Sequence, residues 1–142
     1  MNHVYILGGL RSYIGVKDGM YRHIPAEKLG AEVLREVVSR FELPTDAIDY
    51  IIGGNAVGGG GNITRLAALS AGFPERIPAV TLDLQCGSAL EAISAAAAKI
   101  ESGMADLVIA GGMESSSVQP YLTLPLVYAP PIRTICLIFG II

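Results

Sequence analysis

Cys86 is the residue best placed to do chemistry in this 142-residue chain. It lies in the run Gln85-Cys86-Gly87-Ser88-Ala89-Leu90, after a predicted strand and at the start of a predicted helix. A thiol of ordinary pKa, ~8.5, is only slightly ionised at neutral pH. The partial positive charge of a helix N-terminus favours the thiolate. Free first-turn N–H groups there can also hold a developing oxyanion. The placement therefore suits a nucleophile that attacks a carbonyl. The same position also accommodates a cysteine that packs as a small apolar residue. Residue type and placement leave both readings open.

The other chemistry-bearing groups form no comparable arrangement. Gly58-Gly59-Gly60-Gly61 is not followed by Gly-Lys-Ser/Thr, and no G-x-G-x-x-G occurs, so a turn fits better than a phosphate loop. Glu114, after Gly111-Gly112-Met113, has the chemistry of an acid or base, but a capping carboxylate at a strand exit is the default. Ser115-Ser116-Ser117 lacks the glycine frame of a nucleophile elbow. His3 and His23 are twenty positions apart and make no metal-ligand spacing. Cys86 and Cys136 are fifty apart with no C-x-x-C pair, which excludes a disulfide scaffold and fits a free thiol in a reducing, cytoplasmic setting.

Alternating strands and helices must position these groups. Val4 to Leu7 reads as a buried strand ended by Gly8-Gly9. Pro25 opens a helix in its first turn, with Leu29, Val33, Leu34, Val37 and Val38 on one face. Asp49 to Gly54 is a second strand. Asn62 caps a helix that runs to about Ala71. A third strand covers about Ala79 to Leu84, a helix about Ser88 to Ser102, and a fourth strand Ala105 to Ala110. The order predicts an α/β fold with a largely parallel sheet. The helix from Ser88 is apolar at nearly every angle, which predicts burial in the middle of a structure.

Composition narrows the class further. The chain is 51% apolar and 16% charged, which excludes disorder, and its net charge of −3 gives no basic excess for nucleic acid. No signal peptide is read at the N-terminus. The apolar run 132–142 is short of the ~20 residues a membrane span needs. From Tyr121 onward 15 of 22 residues are apolar and none is acidic, and no period runs through them, so residues 121–142 are set apart as a tail; Ile135 to Phe139 is its one strand candidate.

The ordered set of segments resembles the thiolase family. It comprises Arg11 and Gly15, Gly53-Gly54-Asn55, Gly61-Asn62-Ile63-Thr64-Arg65 and Pro78-Ala79-Val80-Thr81. It continues with Cys86-Gly87-Ser88-Ala89-Leu90-Glu91-Ala92-Ile93 and closes with Ala110-Gly111-Gly112-Met113-Glu114-Ser115. Order and spacing agree over residues 1–120, which the resemblance identifies as a thiolase N-terminal half-domain. The resemblance implies two similar α/β halves stacked in five layers, each with a mixed, largely parallel sheet and a buried central helix; here the second half is lacking. It implies that Cys86 takes an acyl group from a CoA thioester. In the degradative direction CoA attacks after cleavage of the 3-ketoacyl chain. In the synthetic direction the carbanion of acetyl-CoA attacks the acyl-cysteine. No metal and no organic cofactor beyond the CoA substrate is implied, and a homo-oligomer without nucleic-acid or membrane partners is.

The sequence also departs from the family pattern. It reads Cys-Gly-Ser-Ala-Leu where the family commonly has Cys-Ala-Ser-Gly-Leu, with Asp83 in place of a common Asn and Ser116 in place of a second Met. The Gly-His-Pro motif of the activating His, the Cys-x-Gly-Gly-Gly motif, the Asn-Glu-Ala-Phe motif and the inserted CoA-binding loop domain do not occur, and Cys136 precedes Leu137-Ile138-Phe139. These absences predict a truncated or frame-shifted chain that is inactive alone. A ketoacyl synthase-type condensing enzyme and a non-catalytic thiolase-like remnant are the alternatives; Gly111 to Ser115 favours thiolase.

Overall fold

The structure is a computed structural model that describes residues 3–58 and 61–119. Pro25 is the N-cap of α1 (Ala26–Arg40), one position earlier than the sequence implies, with its backbone extended. Phe41 follows, and a 3-10 turn over Thr45–Ala47 leads into β1 (Tyr50–Gly54). The chain continues as α2 (Ile63–Ala71), β2 (Ala79–Leu82), α3 (Ser88–Glu101) and β3 (Val108–Gly112).

The three strands are parallel, in the order β2-β1-β3. Ile52 of β1 stands between Val80 of β2 and Ala110 of β3. Parallel neighbours require crossover connections, and α2 and α3 supply them. Successive β1 side chains alternate between the sheet's two faces. Ile51 joins Leu34, Ala67, Ala68, Phe73 and Ile77 under α1 and α2. Ile52 joins Ala92 and Ala96 of α3 on the other face. The described chain is thus a three-layer α/β unit with β1 at its centre.

The ends of α2 form as their residue types dictate. The Asn62 side chain accepts from the Arg65 N–H at 3.1 Å, and its amide donates to the Ala79 carbonyl at 2.8 Å, tying the helix start to β2. Gly72 closes the helix at φ +90°, a left-handed conformation that glycine adopts without strain.

One expectation is corrected. Residues 4–7 form no strand, and Tyr5, Ile6 and Leu7 are 71–85% exposed. A strand needs a ladder partner, and neither β2 nor β3 pairs with this segment. Among the described residues, the helix α3 is enclosed on one side only. Ser88, Ala92 and Ala96 face the sheet and are buried, whereas Leu90 on the outer side is 69% exposed. Its outer face is largely apolar, and among the described residues α3 is an outer layer. The strand candidate Ile135–Phe139, Cys136 and the tail 121–142 lie outside the described residues.

Candidate active site

Cys86 sits in the turn between β2 and α3, and its side chain is exposed. Gly87 is the N-cap of α3, and among the described residues no side chain makes a capping hydrogen bond at that helix end. The arrangement matches the expectation that Cys86 stands at a helix N-terminus.

The turn is tightly held. Gln85 has φ +50°, a conformation unfavourable for a residue with a Cβ. The Gln85 N–H donates to the Asp83 carboxylate at 2.9 Å. The Gly87 N–H donates to the Leu84 carbonyl at 2.9 Å, and the Ser88 N–H to the Gln85 carbonyl at 3.1 Å. The Ser88 hydroxyl, in a residue only 5% exposed, accepts from the Leu84 N–H at 2.8 Å and donates to the Gln85 carbonyl at 2.6 Å.

Beneath the turn, the sheet comes unusually close. A Cβ on Gly54 would stand 2.5 Å from the Ser88 carbonyl carbon and 2.5 Å from the Ala89 nitrogen. One on Gly112 would stand 2.7 Å from the Ala89 Cβ. The ends of β1 and β3 are therefore glycine because the first turn of α3 rests on their backbones.

Glu114 takes the capping role. Its Oε2 accepts from the Ala56 and Val57 N–H groups, each at 3.1 Å, and its Oε1 from the Asn55 amide at 3.2 Å. Asn55 is buried, donates to the Met113 carbonyl at 2.8 Å and accepts from the Gly58 N–H at 2.9 Å. Together they lock the loops that leave β1 and β3. Sequence reasoning singled out Glu114 but missed Asn55, Asp83 and the Ser88 hydroxyl as structural groups around the cysteine. The Asx and Ser positions at strand and helix ends were the available signal.

The histidines are engaged elsewhere. The Arg22 Nε donates to His23 Nε2 at 3.0 Å, and His3 lies 6.3 Å from Tyr5, centroid to centroid. Ser115 donates to the Ile24 carbonyl at 2.7 Å. Among the described residues, no group of three or more His, Cys, Asp or Glu side chains is gathered to hold a metal ion, and no helix is long and apolar enough to cross a membrane.

The sequence model described as the thiolase N-terminal domain matches residues 4–128. This chain belongs to the thiolase family. The matched region of this thiolase chain contains the whole Cys86 turn and runs past residue 120. The chain is 41% identical over 123 residues to a steroid 3-ketoacyl-CoA thiolase of Mycobacterium tuberculosis, covering 84% of this chain and 30% of that protein. It is 42% identical over 121 residues to a putative acetyl-CoA C-acetyltransferase of Bacillus subtilis, covering 85% of this chain and 32% of that protein. The crystal structure of the Bacillus anthracis acetyl-CoA acetyltransferase superposes with a TM-score of 0.85 at 32% identity, over 94% of this chain and 34% of that one. The chain thus spans about a third of the length of the relatives it matches.

Proposed function

We propose that Cys86 is the acyl-accepting nucleophile of a thiolase-type acyltransferase acting on CoA thioesters. In cleavage, the Cys86 thiolate adds to the keto carbon of a 3-ketoacyl-CoA. The bond between C2 and C3 then breaks, leaving an acyl-cysteine and the carbanion of acetyl-CoA, which takes up a proton. Free CoA then attacks the acyl-cysteine as its thiolate, forming acyl-CoA and restoring the Cys86 thiolate. Condensation reverses these steps. Splitting carbon–carbon chemistry into two acyl transfers is what a thiolate nucleophile contributes.

The observation that carries this reading is the exposed Cys86 in a pinned turn ahead of the N-terminus of α3, which has no side-chain cap. Support also comes from the family match that spans it. Proton transfer at the substrate carbon and the leaving thiol is assigned to groups outside residues 3–119. Covalent thiolate chemistry calls for no metal and no organic cofactor beyond the CoA substrate. A free exposed thiol suits the cytoplasm, and the exposed apolar side of α3 suits a homo-oligomer in lipid metabolism.

Incubation with acetoacetyl-CoA followed by peptide mass mapping tests the proposal. An acetyl group on Cys86, lost in Cys86→Ser, is expected. Acetylation of Ser88 or another residue with Cys86 left free would overturn it.

A further inference from the structure

The proposed chemistry needs Cys86 held at one orientation, and the bonds around it single out one side chain. Among the described residues, the peptide unit joining Gln85 to Cys86 presents its carbonyl to Ser88 alone, which reaches it twice: through its N–H at 3.1 Å and its hydroxyl at 2.6 Å. The same hydroxyl accepts from the Leu84 N–H at 2.8 Å, on the far side of the turn. One buried oxygen therefore closes the loop whose apex is Cys86. It does so against a left-handed Gln85, a conformation that an ordinary residue leaves when released. Rotation of that peptide would swing the backbone of Cys86 and move its thiol relative to the end of α3.

Resting on the reading of Cys86 as nucleophile, we infer that Ser88 is a positioning residue: its hydroxyl fixes the Gln85–Cys86 peptide and so holds the thiol at the amide end of α3. Ser88 acts through the backbone and takes no part in bond making. Packing alone does not account for it, because an alanine fills nearly the same space and makes neither bond. Ser88 is only 5% exposed, so its hydroxyl offers little to solubility, and both of its bonds end on the turn. The direct seating of Gly54 on Ser88 and Ala89 keeps the helix start from following the turn if the turn opens.

The test uses the 142-residue chain and iodoacetamide, with Cys86 labelling followed by peptide mass mapping and the fold checked by far-UV circular dichroism. Ser88→Ala is expected to slow Cys86 alkylation about fivefold, the weight of one to two net hydrogen bonds. Ser88→Thr, which keeps the hydroxyl, is expected to restore the rate. Gln85→Gly in the Ser88→Ala background is expected to recover it as well, because glycine holds φ +50° without help. That double variant also decides the matter where Ser88→Ala alone fails to fold. An unchanged rate in folded Ser88→Ala, or a double variant as slow as the single one, would overturn the inference. Acetylation by acetoacetyl-CoA is read separately. A Cys86 that alkylates in the expected order while the acetyl group lands on a residue other than Cys86 rejects acyl transfer through Cys86 and leaves its turn geometry standing.

Discussion

Gly54→Ala is the sharpest probe of how the sheet supports the cysteine turn. The added Cβ would stand 2.5 Å from both the Ser88 carbonyl carbon and the Ala89 nitrogen, where ordinary contact begins at 3.4 Å. Relief requires a shift of about 0.9 Å, the difference between those distances. The atoms met are backbone, so no rotamer change provides it. Either α3 lifts from the sheet at its first turn or the end of β1 leaves its register with β2 and β3. Overpacking of this kind costs about 1–3 kcal/mol. For a chain of this size that lowers the thermal midpoint by roughly 3–10 °C. Gly111→Ala is the matched control, since a Cβ there meets nothing within 4 Å and the position is a strand glycine too, in β3. It is expected to be neutral or slightly stabilising. Thermal unfolding followed by circular dichroism measures both variants, and iodoacetamide labelling of Cys86 reports on the displaced turn. If Gly54→Ala melted with Gly111→Ala and labelled at the wild-type rate, the claim that α3 rests on the Gly54 backbone would be wrong.

Three further outcomes are expected. Backbone N–H groups of Asp106 and then Leu107 hold the Asp49 carboxyl below its usual pKa of 3.8, so its stabilisation is full above that value and lost as pH falls through the lower folded one; Asp49→Asn should be less stable than wild type at neutral pH, with the gap closing in acid unfolding curves. Glu114→Ala should free the Ala56 and Val57 amides, an effect of about 1–3 kcal/mol, read as faster hydrogen exchange confined to the loop after β1; unchanged protection would remove Glu114 from its capping role. Leu90→Glu should lower the scattering mass of the purified chain, because it places charge on the exposed side of α3; a wild-type chain that is already a compact monomer would refute association through that side.

Signals that act within a few residues were readable in the sequence. Asn62 and Gly72 bracket α2 because a side-chain cap and a left-handed stop are local devices. Cys86 at a helix start was legible for the same reason. Strand ends were less so. The strand expected to reach Leu84 stops at Leu82, since Leu84 is drawn into the turn by the Ser88 hydroxyl. The strand expected from Ala105 begins at Val108, since the Asp106 and Leu107 amides donate to Asp49. Residues 4–7 have the apolar composition of a strand, but pairing is a property of a neighbour, and composition does not supply one. The partners of Glu114 lie 57 to 59 positions away, beyond any spacing rule. Arg65 likewise turns back to the Ile77 and Glu75 carbonyls, a role its place on a helix does not announce.

The central position of β1 also bears on how the chain meets the ribosome. Ile52 pairs first with Val80 and then with Ala110, so the middle strand is made before either neighbour. At synthesis rates of about 5–20 residues per second, the stretch from 52 to 110 takes roughly 3–12 s to appear. Through that interval β1 has at most one flank covered, although hairpins and helices form in microseconds. Nascent thiolase chains of this design therefore pass through a stage in which α1, α2, β1 and β2 can assemble while the β3 side of β1 stays open to any extended segment nearby. Slow synonymous codons between residues 82 and 108 would lengthen that stage and raise the yield of aggregate without altering a single residue.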